Sequence, residues 1–123
     1  MFQTVLFVCV GYLSGSVLYA LIFAGILKKE DILAQSSDHN PGTANAFMYG
    51  GFWCGLFTLL FDLLKGFIPV YLFMHYGNAA KAAPFMAALV IAAPVIGHAF
   101  PVFYGFRGGK GIAVTFGCLA GLI

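Results

Sequence analysis

The feature that most limits what this chain can become is a run from Val5 to Leu27 that contains no charged residue. A helix rises ~1.5 Å per residue, so ~20 apolar residues cross a hydrocarbon core ~30 Å thick. The run exceeds the apolar part of a signal peptide and has no basic flank before it, so it reads as a retained span. Apolar regions follow at roughly Ala46 to Met74 and Pro84 to Phe103, and a last one begins at Ile112. With 62% hydrophobic and 8% charged residues, the chain has too little polar surface to cover a water-soluble core. The expected fold is all-α, a polytopic membrane protein with three full spans plus a partial fourth. The region from Ala46 to Met74 would be ~43 Å long as one helix, more than a vertical span needs, so part of it should tilt, re-enter or lie at the interface.

Charge and cysteine usage narrow the function classes. The net charge is +2, and the six basic residues form no dense stripe with interleaved aromatics, which argues against nucleic acid as a partner. Cys9, Cys54 and Cys118 lie singly in apolar runs without metal-type spacing, and read as small packing residues. No metal and no cofactor is expected. Lys28, Lys29, Arg107 and Lys110 fall in connections on one side of the spans, Lys81 on the other, and Lys65 within a helix. The positive-inside rule then puts the amino terminus outside and two polar, glycine-containing loops together at the cytoplasmic face of a cell membrane.

Those loops are the first candidates for chemistry. One runs Asp38-His39-Asn40-Pro41-Gly42-Thr43-Ala44-Asn45, combining turn formers with groups that can hydrogen-bond an anion. The other, Gly108-Gly109-Lys110-Gly111, opens onto an apolar helix, which would bring unpaired amides, a helix dipole and a cation together. Neither has Walker spacing. Phosphate binding and ordinary loops obeying the positive-inside rule both fit these residues. Asp62 and Lys65 stand three apart, on one helical face within an apolar segment, and so require a buried partner or a wet cavity. A structural ion pair is the alternative to a functional role. His98 sits at the cytoplasmic end of the third span, where reactivity competes with a plain hydrogen-bonding anchor.

Gly97-His98-Ala99-Phe100-Pro101-Val102-Phe103 followed by Gly105-Phe106-Arg107-Gly108-Gly109-Lys110-Gly111 closely resembles the G-H-x-F-P-V-F…G-F-[KR]-G-G-K-G signature of the acyl-phosphate:glycerol-3-phosphate acyltransferase family. Asn40-Pro41-Gly42 with Asn45 is similar to that family's S-G-N-P-G-A-T-N loop, Gly15-Ser16 to its G-S-I-P element, and Asp62-x-x-Lys65-Gly66 with Pro69-Val70 to its D-x-x-K-G…P-V helix. His39 stands where glycine is usual, Thr43-Ala44 where Ala-Thr is common, and Leu18 in place of the proline. The resemblance implies a single transmembrane acyltransferase-like domain over residues 1–123, shorter than family members, which carry further helices and a carboxy-terminal segment with His, Asn and Arg.

What the resemblance implies in function is transfer of a fatty acyl group from acyl phosphate to the 1-hydroxyl of glycerol 3-phosphate, forming lysophosphatidic acid for phospholipid synthesis. Asn40, Gly42 and Asn45 are then expected at glycerol 3-phosphate, and Arg107, Gly108, Gly109 and Lys110 at phosphate charge. His98 is the candidate base or oxyanion donor, Ser16 a polar helper, and Asp62 with Lys65 a structural or cavity-lining pair. The expected partners are membrane lipid and the two substrates, with a second chain supplying further helices as an additional one. Two non-enzyme readings compete: a catalytically inactive binding partner of a full-length acyltransferase, and a transporter fragment with Asp62 and Lys65 on its pathway. A transporter should repeat its spans with matching breaks, and the sequence has no such repeat.

Overall fold

A computed structural model of the protein describes residues 1–28 and 32–123. Lys29, Glu30 and Asp31, part of the charge of the first polar loop, lie outside the described residues. Among those described, all regular structure is helical, and three segments are long and apolar enough to cross a membrane: Phe2–Ile26, Phe52–Tyr76 and Pro84–Tyr104.

The first of these is broken. Helix α1 covers Phe2–Gly15 and α2 Tyr19–Ile26, and between them Leu18 takes an extended conformation at φ −95° and ψ 92°. The Ser16 hydroxyl donates to the Tyr12 carbonyl four residues back, at 2.8 Å, competing for an acceptor of the helical ladder as serines near helix bends do. A break at this depth is tolerated because Leu18 is fully buried in protein instead of facing lipid.

After the short helix α3 (Ile32–Gln35), α4 (Thr43–Gly50) folds back along the start of α5 (Phe52–Tyr76). The hinge is Gly51, whose φ of 88° suits glycine and few other residues. This division accounts for the excess length of the Ala46–Met74 region. Pro84 opens α6 (Pro84–Ala99) at a position where its missing amide costs nothing. The expected third span to Phe103 is α-helical only to Ala99, then continues through a 3₁₀ turn at Val102–Tyr104. The partial fourth element is α7 (Ile112–Gly121).

Helix α5 is the hub, touching α1, α2, α4, α6 and α7. Lipid supplies no hydrophobic drive between helices, so close backbone approach through small residues does much of the work. A Cβ on Gly15 would overlap the backbone of Pro94, and one on Gly97 the Tyr12 carbonyl, which locks α1 to α6. Gly66 and Gly117 do the same for α5 and α7, against Val114 and Leu63 carbonyls. At one end of the bundle Gln3 donates to the Tyr76 carbonyl at 3.2 Å, and Asn78 to Gln3 at 3.2 Å. Both polar loops lie at the other end.

Candidate active site

The site is built inward from the charged face of α5. Asp62 lies ten residues, about 15 Å, from the start of its helix, and both it and Lys65 are buried. Lys65 Nζ is 3.3 Å from Asp62 Oδ1, 2.7 Å from the Val17 carbonyl oxygen and 2.8 Å from His98 Nδ1. The ion-pair contact lacks hydrogen-bond angles, so Asp62 Oδ1 makes no hydrogen bond, while Oδ2 accepts from the Thr43 hydroxyl at 3.2 Å. The Tyr19 ring faces the ammonium, its centroid 5.6 Å away. The break between α1 and α2 explains how a lysine is satisfied here: it frees the Val17 carbonyl, and α5 brings Lys65 to it.

His98, also buried, connects this cluster to the glycine loop. Its carbonyl accepts the Gly109 amide at 3.1 Å, and the Ala99 carbonyl accepts that of Gly108 at 3.1 Å. The Lys110 amide goes to Asn40 Oδ1 at 3.2 Å. These amides, expected to stand unpaired, are therefore engaged: α6 ends here and its last carbonyls take those of Gly108 and Gly109, while Asn40 takes that of Lys110. The glycines are required sterically as well. A Cβ on Gly108 would overlap the His98 carbonyl, and one on Gly109 would overlap Asn40 Oδ1 and crowd His98 Nε2.

Asn40 thus stitches the two loops together, and the first loop is braced internally. Asn45 Nδ2 donates to Asp38 Oδ1 at 2.8 Å and to the Asn40 carbonyl at 2.7 Å, and the Asn40 amide donates to Asp38 Oδ1 at 3.2 Å. The two hydrogen bonds that Asp38 Oδ1 accepts, that from Asn45 foremost and then that from the Asn40 amide, hold the Asp38 carboxyl below the usual carboxylate range, and Lys110 adds to them. Lys110 Nζ reaches Asp38 Oδ2 at 3.3 Å, with both side chains largely in solvent.

Between these parts is a cavity of about 380 Å³. Asn40, Gly42, Thr43, Asp62, His98 and Lys110 line its polar part, while Leu59, Leu63, Ile112, Ala113 and Phe116 form an apolar wall from α5 and α7. A second cavity, of about 390 Å³, lies at the opposite end beside Gln3, Asn78 and Lys81 and contains none of the candidate site residues.

The structure brings together Asn40, Gly42, Asp62, His98 and Lys110 around one space, with Lys65 directly behind His98, Gly109 against it and Asn45 bracing the loop. It does not bring Ser16 or Arg107 there. Ser16 is buried in the α1–α2 break, its hydroxyl spent on Tyr12, and Arg107 is exposed outside the cavity. Sequence reasoning gave no role to the Thr43 hydroxyl on Asp62 or to Tyr12, whose hydroxyl donates to the Phe100 carbonyl at 2.7 Å beyond the end of α6. Neither contact has a local signature, since the partners are 19 and 88 residues apart. Among the described residues, no group of three or more His, Cys, Asp or Glu side chains could hold a metal.

Fold and site together define a polytopic helical membrane protein with an amphiphilic cavity, polar where two loops meet and apolar between α5 and α7. The chain belongs to the glycerol-3-phosphate acyltransferase family, whose model matches residues 5–123. Among curated relatives, the glycerol-3-phosphate acyltransferase of Pasteurella multocida (strain Pm70) is 38% identical over 116 residues, covering 94% of this chain and 55% of the relative. That of Actinobacillus pleuropneumoniae serotype 5b (strain L20) is 41% identical over 114 residues, covering 93% and 56%. The crystal structure of PlsY (YgiH), an integral membrane glycerol 3-phosphate acyltransferase, in its glycerol 3-phosphate form superposes with a TM-score of 0.84 at 29% identity, covering 97% of this chain and 57% of that one. The lysophosphatidic acid form gives 0.82. The chain spans about half the length of these relatives.

Proposed function

We propose that this chain forms the acyl-transfer site of a glycerol 3-phosphate acyltransferase that uses acyl phosphate. The observation that carries the reading is the two-natured cavity, in which Asn40, His98 and Lys110 meet an apolar wall of Leu59, Leu63 and Phe116. Acyl phosphate has a tail that prefers lipid and an anionic head that prefers a polar, cationic mouth, and this cavity matches both. The names of the related proteins support the substrate class, since PlsY is crystallised in glycerol 3-phosphate and lysophosphatidic acid forms.

In the reaction the 1-hydroxyl oxygen of glycerol 3-phosphate attacks the acyl carbonyl carbon. A C–O ester bond forms, the carbonyl-carbon to phosphate-oxygen bond breaks, and in the net balance the hydroxyl proton leaves on the released phosphate. Holding both substrates in one cavity supplies proximity and orientation. Lys110 would neutralise phosphate charge on leaving Asp38, while Asn40 and Asn45 keep the glycerol 3-phosphate loop in shape. His98, at the polar end, is placed for either proton transfer or charge stabilisation. Arg107 and Ser16 would act from outside the cavity, Arg107 as part of the positive field at its mouth and Ser16 by shaping the α1–α2 break.

Purified chain in detergent or proteoliposomes, given acyl phosphate and glycerol 3-phosphate, should form lysophosphatidic acid and release phosphate in equal amounts. Phosphate release without ester formation would overturn acyl transfer to glycerol 3-phosphate. A second reading, an inactive binding partner of a longer acyltransferase, draws on the half-length coverage. Activity appearing only with a second chain that supplies further helices would favour it. The orientation proposed, with the amino terminus outside and both loops cytoplasmic, requires single cysteines at Ser37 and Arg107 to label from one side of oriented vesicles and one at Lys81 from the other.

A further inference from the structure

Two roles are open to His98, and the hydrogen atoms around Lys65 decide between them. A lysine ammonium carries three hydrogens and no lone pair. Nζ has two hydrogen-bonding neighbours, the Val17 carbonyl at 2.7 Å and His98 Nδ1 at 2.8 Å, and one charge neighbour, Asp62 Oδ1 at 3.3 Å. A neutral amine would leave Asp62 either as a carboxylate buried with no cation beside it among the described residues, strongly disfavoured in a membrane interior, or as a carboxylic acid. Oδ1 makes no hydrogen bond through which such an acid would donate to Nζ. The lysine is therefore the charged partner, and Nδ1 must receive one of its hydrogens. A ring nitrogen that accepts at Nδ1 keeps its own proton at Nε2. Nε2 is the atom that stands beside Gly109, in space that a Cβ there would crowd, and His98 lines the cavity.

From this geometry we infer that His98 serves the cavity as an Nε2–H hydrogen-bond donor to substrate oxygen, phosphoryl or developing oxyanion, and not as a base, with Lys65 the positioning residue that fixes its tautomer. The inference rests on the acyl-transfer reading for the identity of that oxygen, but not for the tautomer. Proton abstraction by Nε2 would require the nitrogen to be bare, which would move the ring proton to Nδ1 and turn it against the ammonium. Asp62 completes the device by holding Lys65 charged, while Val17 fixes the position of Nζ.

The tautomer can be read without turnover. In protein labelled with ¹⁵N-histidine, the His98 signals are those lost in His98→Gln. Long-range ¹H–¹⁵N spectra should give an unprotonated Nδ1 and a protonated Nε2, and inorganic phosphate should shift Nε2. A protonated Nδ1, or a ring protonated at both nitrogens, would overturn the assignment, and an Nε2 unmoved by phosphate would overturn the donor role. Folded Lys65→Met should show both tautomers; one fixed tautomer there would remove Lys65 as the positioning residue. Should Lys65→Met fail to fold, the double change Asp62→Leu with Lys65→Met, which leaves no stranded charge, answers the same question. In turnover, His98→Gln, which can offer an amide donor near Nε2, should keep more kcat/KM than His98→Ala. The alanine change should cost about ten- to 150-fold, as expected for a hydrogen bond to a charged group. Equal loss in both, with wild-type KM and lost kcat, would return His98 to the role of base. Absence of turnover in the wild-type chain would count against the acyl-transfer reading and leave the spectroscopic result standing.

Discussion

Two ion pairs in this molecule have the same N···O distance, 3.3 Å, in opposite surroundings. Lys65 and Asp62 expose 1% and 2% of their side chains, Lys110 and Asp38 64% and 42%. Away from water, the first pair cannot separate without leaving a bare charge in a low-dielectric interior, so it acts as architecture. In water, exchanging one counter-ion for another is cheap, so the second pair can act as a latch that opens to phosphate under the proposed function. One chain thus uses the same chemical pair once to hold still and once to let go, and only burial distinguishes the uses.

The contrast breaks most readily at the buried pair. Asp62→Leu or Lys65→Leu alone should cost about 3–5 kcal/mol of stability in detergent, the range for stranding one member of a buried pair. The double change should be milder. Denaturant or thermal unfolding checks this, and single changes without effect would show that water reaches the pair. Next in size is Lys110→Ala, for which acyl transfer should fall by about ten- to 150-fold with the unfolding midpoint nearly unchanged. Lys110→Arg should restore only part of the rate, because its wider planar group must fit beside glycines that allow no Cβ. Loss of folding together with activity in Lys110→Ala would make the exposed pair structural too.

The smallest effects belong to Asp38. Asp38→Asn should leave folding intact and lower the KM for the phosphate substrates, since the competing carboxylate charge is gone. A raised KM would show instead that loop bracing through Asn45 and Asn40 outweighs competition for Lys110. The pH dependence has a definite sign. Because the folded-state carboxyl titrates below its ordinary value, the contacts of Asp38 are fully present above that ordinary value and are lost as pH falls through the lower, folded one. Titration of the latch should therefore leave activity flat around neutrality, and a break in the neutral range that vanished in Asp38→Asn would contradict this.

How much of this was legible in the sequence follows from the range of each cause. Spans were legible because bilayer thickness sets a length that hydropathy alone reveals, and the shared end of the two loops because charge was counted across connections. The Asp62–Lys65 pair was legible from helical spacing. Its third and fourth members were not: Val17 becomes an acceptor only because the helix breaks beside it, and His98 arrives from 33 residues beyond Lys65. The fold-back of α4 hides in Gly50-Gly51, which inside an apolar region can equally be packing glycines. Arg107 and Lys110 look equivalent as neighbours in a glycine-rich run. They part company because Gly108 and Gly109, tied to the end of α6, separate a residue outside the cavity from one at its mouth.

The break between α1 and α2 also bears on how the protein is assembled. When the first span enters the bilayer, α5 has not yet been made, and an open carbonyl at Val17 would face hydrocarbon at a cost of several kcal/mol. The bent form is thus stable only after Lys65 has docked, and the first segment must insert either straight or with its break held near the headgroups. In the two-stage view of membrane folding, the kink belongs to helix association and not to insertion. Completion of the site is in this way tied to correct docking of α5: a chain whose α5 fails to dock leaves Lys65 with only Asp62 of its own helix and the Val17 carbonyl bare, two defects of the kind that membrane quality control can recognise.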